Sequence, residues 1–292
     1  MTDNNLSENN FYEKAFSRNI GILTEKEQEK IKHSKIAIAG MGGVGGHYIL
    51  NFARLGIKHF SIADFDSFEE VNINRQAGAT IDTFGKKKCE TMGEMAKKIN
   101  PYIKINYFKE GVNEKNVDDF LSGVDVYVDG MDAFDIETRR LIFKKAREKG
   151  IFAITAAPLG FSCAMLVFSP RGMSFDVYFG INDQMSYVEK IASFLLGVAP
   201  FGIHLRYLNL EKVDLKNGKG PSVSPACYLC SALATTMATK ILLKKKGVKA
   251  APHYFQFDAH ENTHKKGYLL FGGKNPIMLL KKKIFLKFFL KN

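Results

Sequence analysis

The chain has 292 residues, 46% hydrophobic and 25% charged, the balance of a soluble globular protein with a sizeable core. Met1 to Asn10 is polar and no early apolar run is long enough to cross a membrane, which argues against secretion. Four cysteines, Cys89, Cys163, Cys227 and Cys230, are too few and too irregularly placed for a disulfide framework, so a reducing cytoplasm is the expected location. The formal net charge of +12 favours polyphosphate, nucleic-acid or anionic-membrane partners without naming one, and six lysines with no acid fall from Lys274 onward.

In chain order, Lys35 to Gly40 reads as a buried strand, and a glycine-rich turn leads from it into a helix over Val44 to Leu55 that ends at Gly56. Lys58 to Ala63 is a second strand closing on Asp64-Phe65-Asp66, so the unit has the length of a βαβ element with a right-handed crossover. A helix over Lys86 to Ile99 stops before Asn100-Pro101, and Ile103 to Phe108 alternates as a strand. Val124 to Val128 is a strand, Phe134 to Glu148 a charged helix, and Phe152 to Ala156 a strand before Pro158.

From Arg171 the alternation gives way to a mixed stretch, helical near Tyr187 to Leu196, with a Lys/Gly-rich loop at Lys216 to Pro221. Cys227 to Lys246 reads as one long helix and Tyr254 to Asp258 as a late strand. The expected fold is α/β: a Rossmann-like, doubly wound, mainly parallel sheet with a C-terminal mixed α/β extension in the same globule. Its parts are an N-terminal helical arm (1–34), a nucleotide-binding region (35–170), a crossover or substrate region (171–226), a completing helix and strand (227–272) and a basic apolar tail (273–292).

Gly40-Met41-Gly42-Gly43-Val44-Gly45 suits a phosphate, because glycines permit a tight turn and close backbone approach while the next helix offers free N–H groups at its positive end. Asp64 stands where such folds place an acid on ribose hydroxyls, with Asp66 beside it; these features fit NAD as well as ATP. Downstream, Asn72-Ile73-Asn74-Arg75-Gln76, then Lys88, then Asp129-Gly130-Met131-Asp132 supply groups an NAD oxidoreductase does not need. Attack on an α-phosphate does need them: Arg75 and Lys88 would stabilise the growing charge, and a carboxylate would hold Mg²⁺ against the leaving pyrophosphate. Asp132 is the favoured acid and Asp129 the competitor; the alternative for Asp132 is a helix cap.

In motif order and spacing from Phe11 to Gly272, the chain resembles the ThiF/MoeB/HesA group of adenylyltransferases, which shares its fold with ubiquitin-activating enzymes. The resemblance implies an ATP- and Mg²⁺-dependent enzyme that activates a carboxylate as an acyl-adenylate. Position by position it makes Asp64 a ribose ligand, Arg75 and Lys88 phosphate ligands, Asp132 the Mg²⁺-associated acid, and Asn72 and Gln76 further nucleotide contacts. Arg18 matches the family's amino-terminal arginine, which reaches across a homodimer into the partner's site. The Asn-x-Asn-Arg-Gln form is also similar to the tRNA threonylcarbamoyladenosine dehydratase branch. The carboxylate stays open among a ubiquitin-like carrier, a peptide, a small acid and a modified tRNA.

Relatives often bind structural zinc through two Cys-x-x-Cys pairs, but only Cys227 and Cys230 form one here, with His260 and His264 as distant candidates, so structural zinc is not expected. No cysteine occurs between Arg171 and Ala226, where relatives that carry an acyl group place theirs, which implies transfer to an external nucleophile. The tail from Ile277 to Leu290 mixes apolar residues with lysines; it is read as a helix docking its apolar face with lysines outward, weak contact with an anionic membrane being the second reading. A non-catalytic nucleotide-sensing or nucleic-acid-binding module is the remaining alternative.

Overall fold

The structure, a computed structural model, describes residues 7–214, 218 and 220–291. The Lys/Gly-rich loop read at Lys216 to Pro221 lies in part outside the described residues, as do the first six residues of the arm.

Helices α1 (Glu8–Ala15) and α2 (Glu25–His33) form the arm, the second started by a reciprocal Thr24–Glu27 capping box. Then come β1 (Lys35–Ala39), α3 (Gly45–Leu55), β2 (His59–Ala63), α4 (Lys88–Ile99), β3 (Lys104–Phe108), the short α5 (Val117–Phe120), β4 (Val126–Asp129), α6 (Ile136–Glu148) and β5 (Phe152–Leu159). The second half holds β6 (Ser162–Phe168), α7 (Phe175–Phe179), α8 (Tyr187–Val198), α9 (Ser224–Leu242), β7 (His253–Asp258), β8 (Thr263–Tyr268) and α10 (Pro276–Lys291).

One eight-stranded sheet runs β3-β2-β1-β4-β5-β6-β7-β8. Its first five strands are parallel, and β5 through β8 pair antiparallel. Alternation along β1 makes the sheet two-sided: Ile36 and Ile38 face a core shared with α3, α4 and α9, while Ala37 and Ala39 face another shared with α5 to α8.

The structure departs from the sequence reading at several boundaries. Strand β5 does not stop at Ala156 but carries Pro158 to the Leu159–Ser162 end of a hairpin. Pairing with β4 ends at Thr155, so the missing proline amide removes no ladder bond on that side. Helix α4 begins at Lys88 rather than Lys86, α6 at Ile136 rather than Phe134, and α9 runs Ser224–Leu242 rather than Cys227 to Lys246, with Pro225 in its first turn. Strands β6 and β8 were not anticipated: β6 is buried at every position and lacks alternation, and β8 is a polar edge strand. Among the described residues no helix is long and apolar enough to cross a membrane.

Candidate active site

The exits of β1, β2 and β4 meet at the glycine-rich turn. Gly40 sits at φ 84°, and a Cβ there would come 2.3 Å from the Gly130 carbonyl oxygen. One on Gly45 would come 1.7 Å from the Gly40 carbonyl oxygen, so the turn closes on itself and on the β4 exit only without side chains. No side chain caps α3, and the amides of Gly42, Gly43 and Val44 donate to no group among the described residues. Free N–H groups at the positive end of a helix make a cradle for an anion.

Asp64 braces this turn from β2. Its Oδ2 accepts from the Met41 amide at 2.6 Å and its Oδ1 from the Asp66 amide at 2.8 Å, while burial pushes its pKa above the ordinary carboxylate value. Beside it the buried Lys88 amine, at the start of α4, pairs with the exposed Asp66 carboxylate at 3.0 Å.

The segment after β2 wraps over the turn. Asn72 is buried, and its Oδ1 accepts from the Glu69 amide at 3.1 Å, so its carboxamide oxygen braces the loop. Arg75 donates to the Val71 carbonyl and to Asn74 Oδ1, both at 3.0 Å, and forms no ion pair among the described residues. Its charge is therefore available to an anion. Gln76 packs on Gly42, and its buried Oε1 has no hydrogen-bond partner among the described residues, an acceptor waiting for a donor at the turn.

At the β4 exit the two candidate acids separate. Asp129 is buried; its Oδ2 takes Arg139 Nε and the Thr155 hydroxyl, each at 2.8 Å, and its Oδ1 takes the Met131 amide at 3.1 Å. So saturated a carboxylate is a scaffold. Asp132 is exposed and accepts one hydrogen bond among the described residues, from the Phe134 amide at 3.0 Å, which leaves it able to meet a cation. Asp132 does not cap α6, whose N-cap position is Asp135; its bond to the Phe134 amide closes a turn in the loop ahead of the helix.

Sequence reasoning missed Arg139. It is fully buried inside a helix read only as charged, and its guanidinium holds the loop that presents Asp132 through the carbonyls of Met131 (3.0 Å) and Asp132 (2.8 Å). The readable signal was a strand-end acid, Asp129, followed by an arginine on the inward face of the next helix. Asn74, inside the Asn72 to Gln76 motif, donates its side-chain amide to the Ser222 carbonyl at 2.9 Å, and Ser222 also bridges Gly160. The end of the crossover region is thereby stitched to the nucleotide loop and to the β5–β6 turn.

Arg18 does not join this cluster. It lies in the exposed 3-10 turn Ser17–Asn19, whose Asn19 packs on Gln28 and the Leu55 carbonyl at the far end of α3. That helix has 11 residues, a length of roughly 16 Å.

The cysteines are buried. Cys227 touches Gly43, where a Cβ would meet its sulfur at 3.2 Å, and burial pushes its thiol up to about 11, partly offset by Ser222 and Arg75. Cys230 lies against Cys163 in the core, and burial raises its thiol too. His260 stacks near Phe161 and Tyr207, and His264 against Phe255, so neither histidine joins the cysteines. Among the described residues no three His, Cys, Asp or Glu side chains gather to hold a metal ion.

Comparison with known proteins identifies the family of the chain. The model of the ThiF family matches residues 16–270. The chain belongs to the ThiF family. A tRNA threonylcarbamoyladenosine dehydratase of Haemophilus influenzae is 31% identical over 150 residues, covering 51% of this ThiF-family chain and 57% of that relative. A probable molybdopterin-synthase adenylyltransferase of Gracilaria tenuistipitata is 25% identical over 259 residues, 87% of this chain and 71% of that one. The E. coli tRNA N6-threonylcarbamoyladenosine dehydratase TcdA, crystallised with AMP, shares the fold at a TM-score of 0.61 and 19% identity, covering 82% of this chain and 98% of that one.

Proposed function

We propose that this chain is an ATP-dependent adenylyltransferase that activates a carboxylate. The observation that carries the reading is the turn with its unpartnered amides, flanked by the uncompensated Arg75 and by Lys88. A carboxylate oxygen attacks the α-phosphorus, the bond to the pyrophosphate oxygen breaks, and the acyl-adenylate then passes its acyl group to a separate nucleophile. Arg75 and Lys88 offset charge that grows on the phosphate oxygens, and the turn amides hold the chain of phosphates in line. Asp64 would accept from ribose hydroxyls, and the orphaned Gln76 oxygen from a donor on the nucleotide.

Asp132 would hold Mg²⁺, which supplies neutralisation of the departing pyrophosphate. The buried, protonated Cys227 thiol and a crossover region without cysteine favour an external acyl acceptor. Because Arg18 stands at the far end of α3 from the turn, its part in the reaction belongs to a homodimer in which each copy completes the other's site.

Carboxylate-dependent exchange of labelled pyrophosphate into ATP tests the reaction. A panel of carrier C-termini, peptides, small acids and threonylcarbamoyladenosine-modified tRNA that supports no exchange would overturn it, and tighter binding of NAD than of ATP would favour an oxidoreductase.

A tRNA threonylcarbamoyladenosine dehydratase is the second reading, favoured by the relative of that name at 31% identity and by the Asn72 to Gln76 motif at the site. ATP consumption that depends on the modified tRNA alone, with no response to protein or peptide carboxylates, would select it.

A further inference from the structure

Helix α10 carries two apolar stripes. Met278 is buried and Phe285 packs with it into the core beside α8, which is the docked side. Ile277, Leu280 and Ile284 follow the i, i+3, i+7 spacing of a second face and are 65%, 59% and 61% exposed. Leu270 and Phe271, in the turn leading to the helix, are also exposed, and Phe271 is held at φ 64°, a conformation that costs an aromatic residue energy.

Lysines frame this stripe. Lys281 lies on one side of it, anchored on the Pro200 carbonyl at 2.6 Å, and the exposed Lys283 and Lys287 lie on the other. No acid occurs from Lys274 to Asn292.

An outward apolar stripe on a docked helix calls for a covering surface. A second copy meeting it by two-fold symmetry would set lysines against lysines, which repel. A surface that is apolar inside and anionic at its rim matches both features, with the stripe entering the acyl boundary and the lysine amines reaching the headgroups.

We infer that the face of α10 formed by Ile277, Leu280 and Ile284 docks on an anionic lipid surface, with Lys281, Lys283 and Lys287 meeting its phosphates and carboxylates. This inference is independent of the proposed chemistry. Sedimentation of the full chain with phosphatidylcholine vesicles, with and without phosphatidylserine, tests it. Binding is expected only with phosphatidylserine, and it weakens as salt rises. Lys283→Gln and Lys287→Gln each lower partitioning about fivefold, and Leu280→Ser with Ile284→Ser removes it while the thermal unfolding midpoint is retained.

Three results overturn the inference: no sedimentation with phosphatidylserine vesicles, equal binding to neutral vesicles, or binding indifferent to the paired serine substitutions. A fourth is a switch from dimer to monomer in the serine variant of a chain that ignores vesicles, which would assign the stripe to a second copy.

Discussion

Arg139 Nη2 donates to the Asp132 carbonyl at 2.8 Å while its Nε holds Asp129 at the same distance, so one buried guanidinium joins the end of β4 to the loop that presents the candidate metal acid. Its aliphatic and planar surface also lies over the Phe194 ring at 4.5 Å. Replacing Arg139 with Met leaves the Asp129 carboxylate buried and unpaired, which costs about 3–5 kcal/mol. Chemical denaturation should show that loss, and Asp129→Asn in the same chain should recover part of it. Equal stability of the single and double variants would mean that the pair is not coupled.

The charges around the turn bear on rate more than on stability. Lys88→Ala and Arg75→Ala should each lower carboxylate-dependent pyrophosphate exchange by about 10²–10³-fold, the usual scale for losing one group that stabilises transition-state charge. Thermal unfolding of both variants is expected to stay near that of the parent, since the Lys88–Asp66 partner is exposed and Arg75 has no acid partner among the described residues.

Arg18 permits a complementation test. Arg18→Ala and Lys88→Ala chains, each inactive alone, are expected to recover about a quarter of parental activity per chain when refolded together in equal amounts, because half the dimers are mixed and carry one intact site of two. No recovery, in a mixture shown to form mixed dimers, would place Arg18 outside the partner's site.

Acid stability should depend on His204. Burial of this crossover-region residue against β7 lowers its pKa to about 4 from 6.5, against an opposing effect of Asp258. A depressed folded value means the unfolded chain takes up the proton first, so this contribution is whole above about pH 6.5 and lost as pH falls towards 4. The total is about 3 kcal/mol. His204→Gln should flatten the urea midpoint against pH across that window.

The nucleotide half of the fold was legible because its signals are local: glycines where a Cβ would strike backbone, an acid at the end of β2, and strands with plain apolar runs. Strand β6, apolar on both faces, has no period to distinguish it from a helix, and β8, with lysines at its centre, is a strand through its ladder with β7. Arg139 was hidden for the opposite reason. Its helix is rich in charge, and only the packed structure shows which charge turns inward. The exposed stripe of α10 escaped too, because an apolar side chain in sequence carries no record of how much of the helix the body covers.

The Lys88–Asp66 pair sets an exposed carboxylate on the cation that the proposed reaction assigns to phosphate. An ammonium as buried as Lys88 needs an anion beside it, and Asp66 supplies one from an exposed, water-facing position. In the proposed reaction, incoming phosphate evicts that carboxylate, and the same carboxylate can swing back when pyrophosphate loosens. Turnover in that scheme is an exchange of anions on one cation, and inorganic polyphosphates are expected to inhibit it.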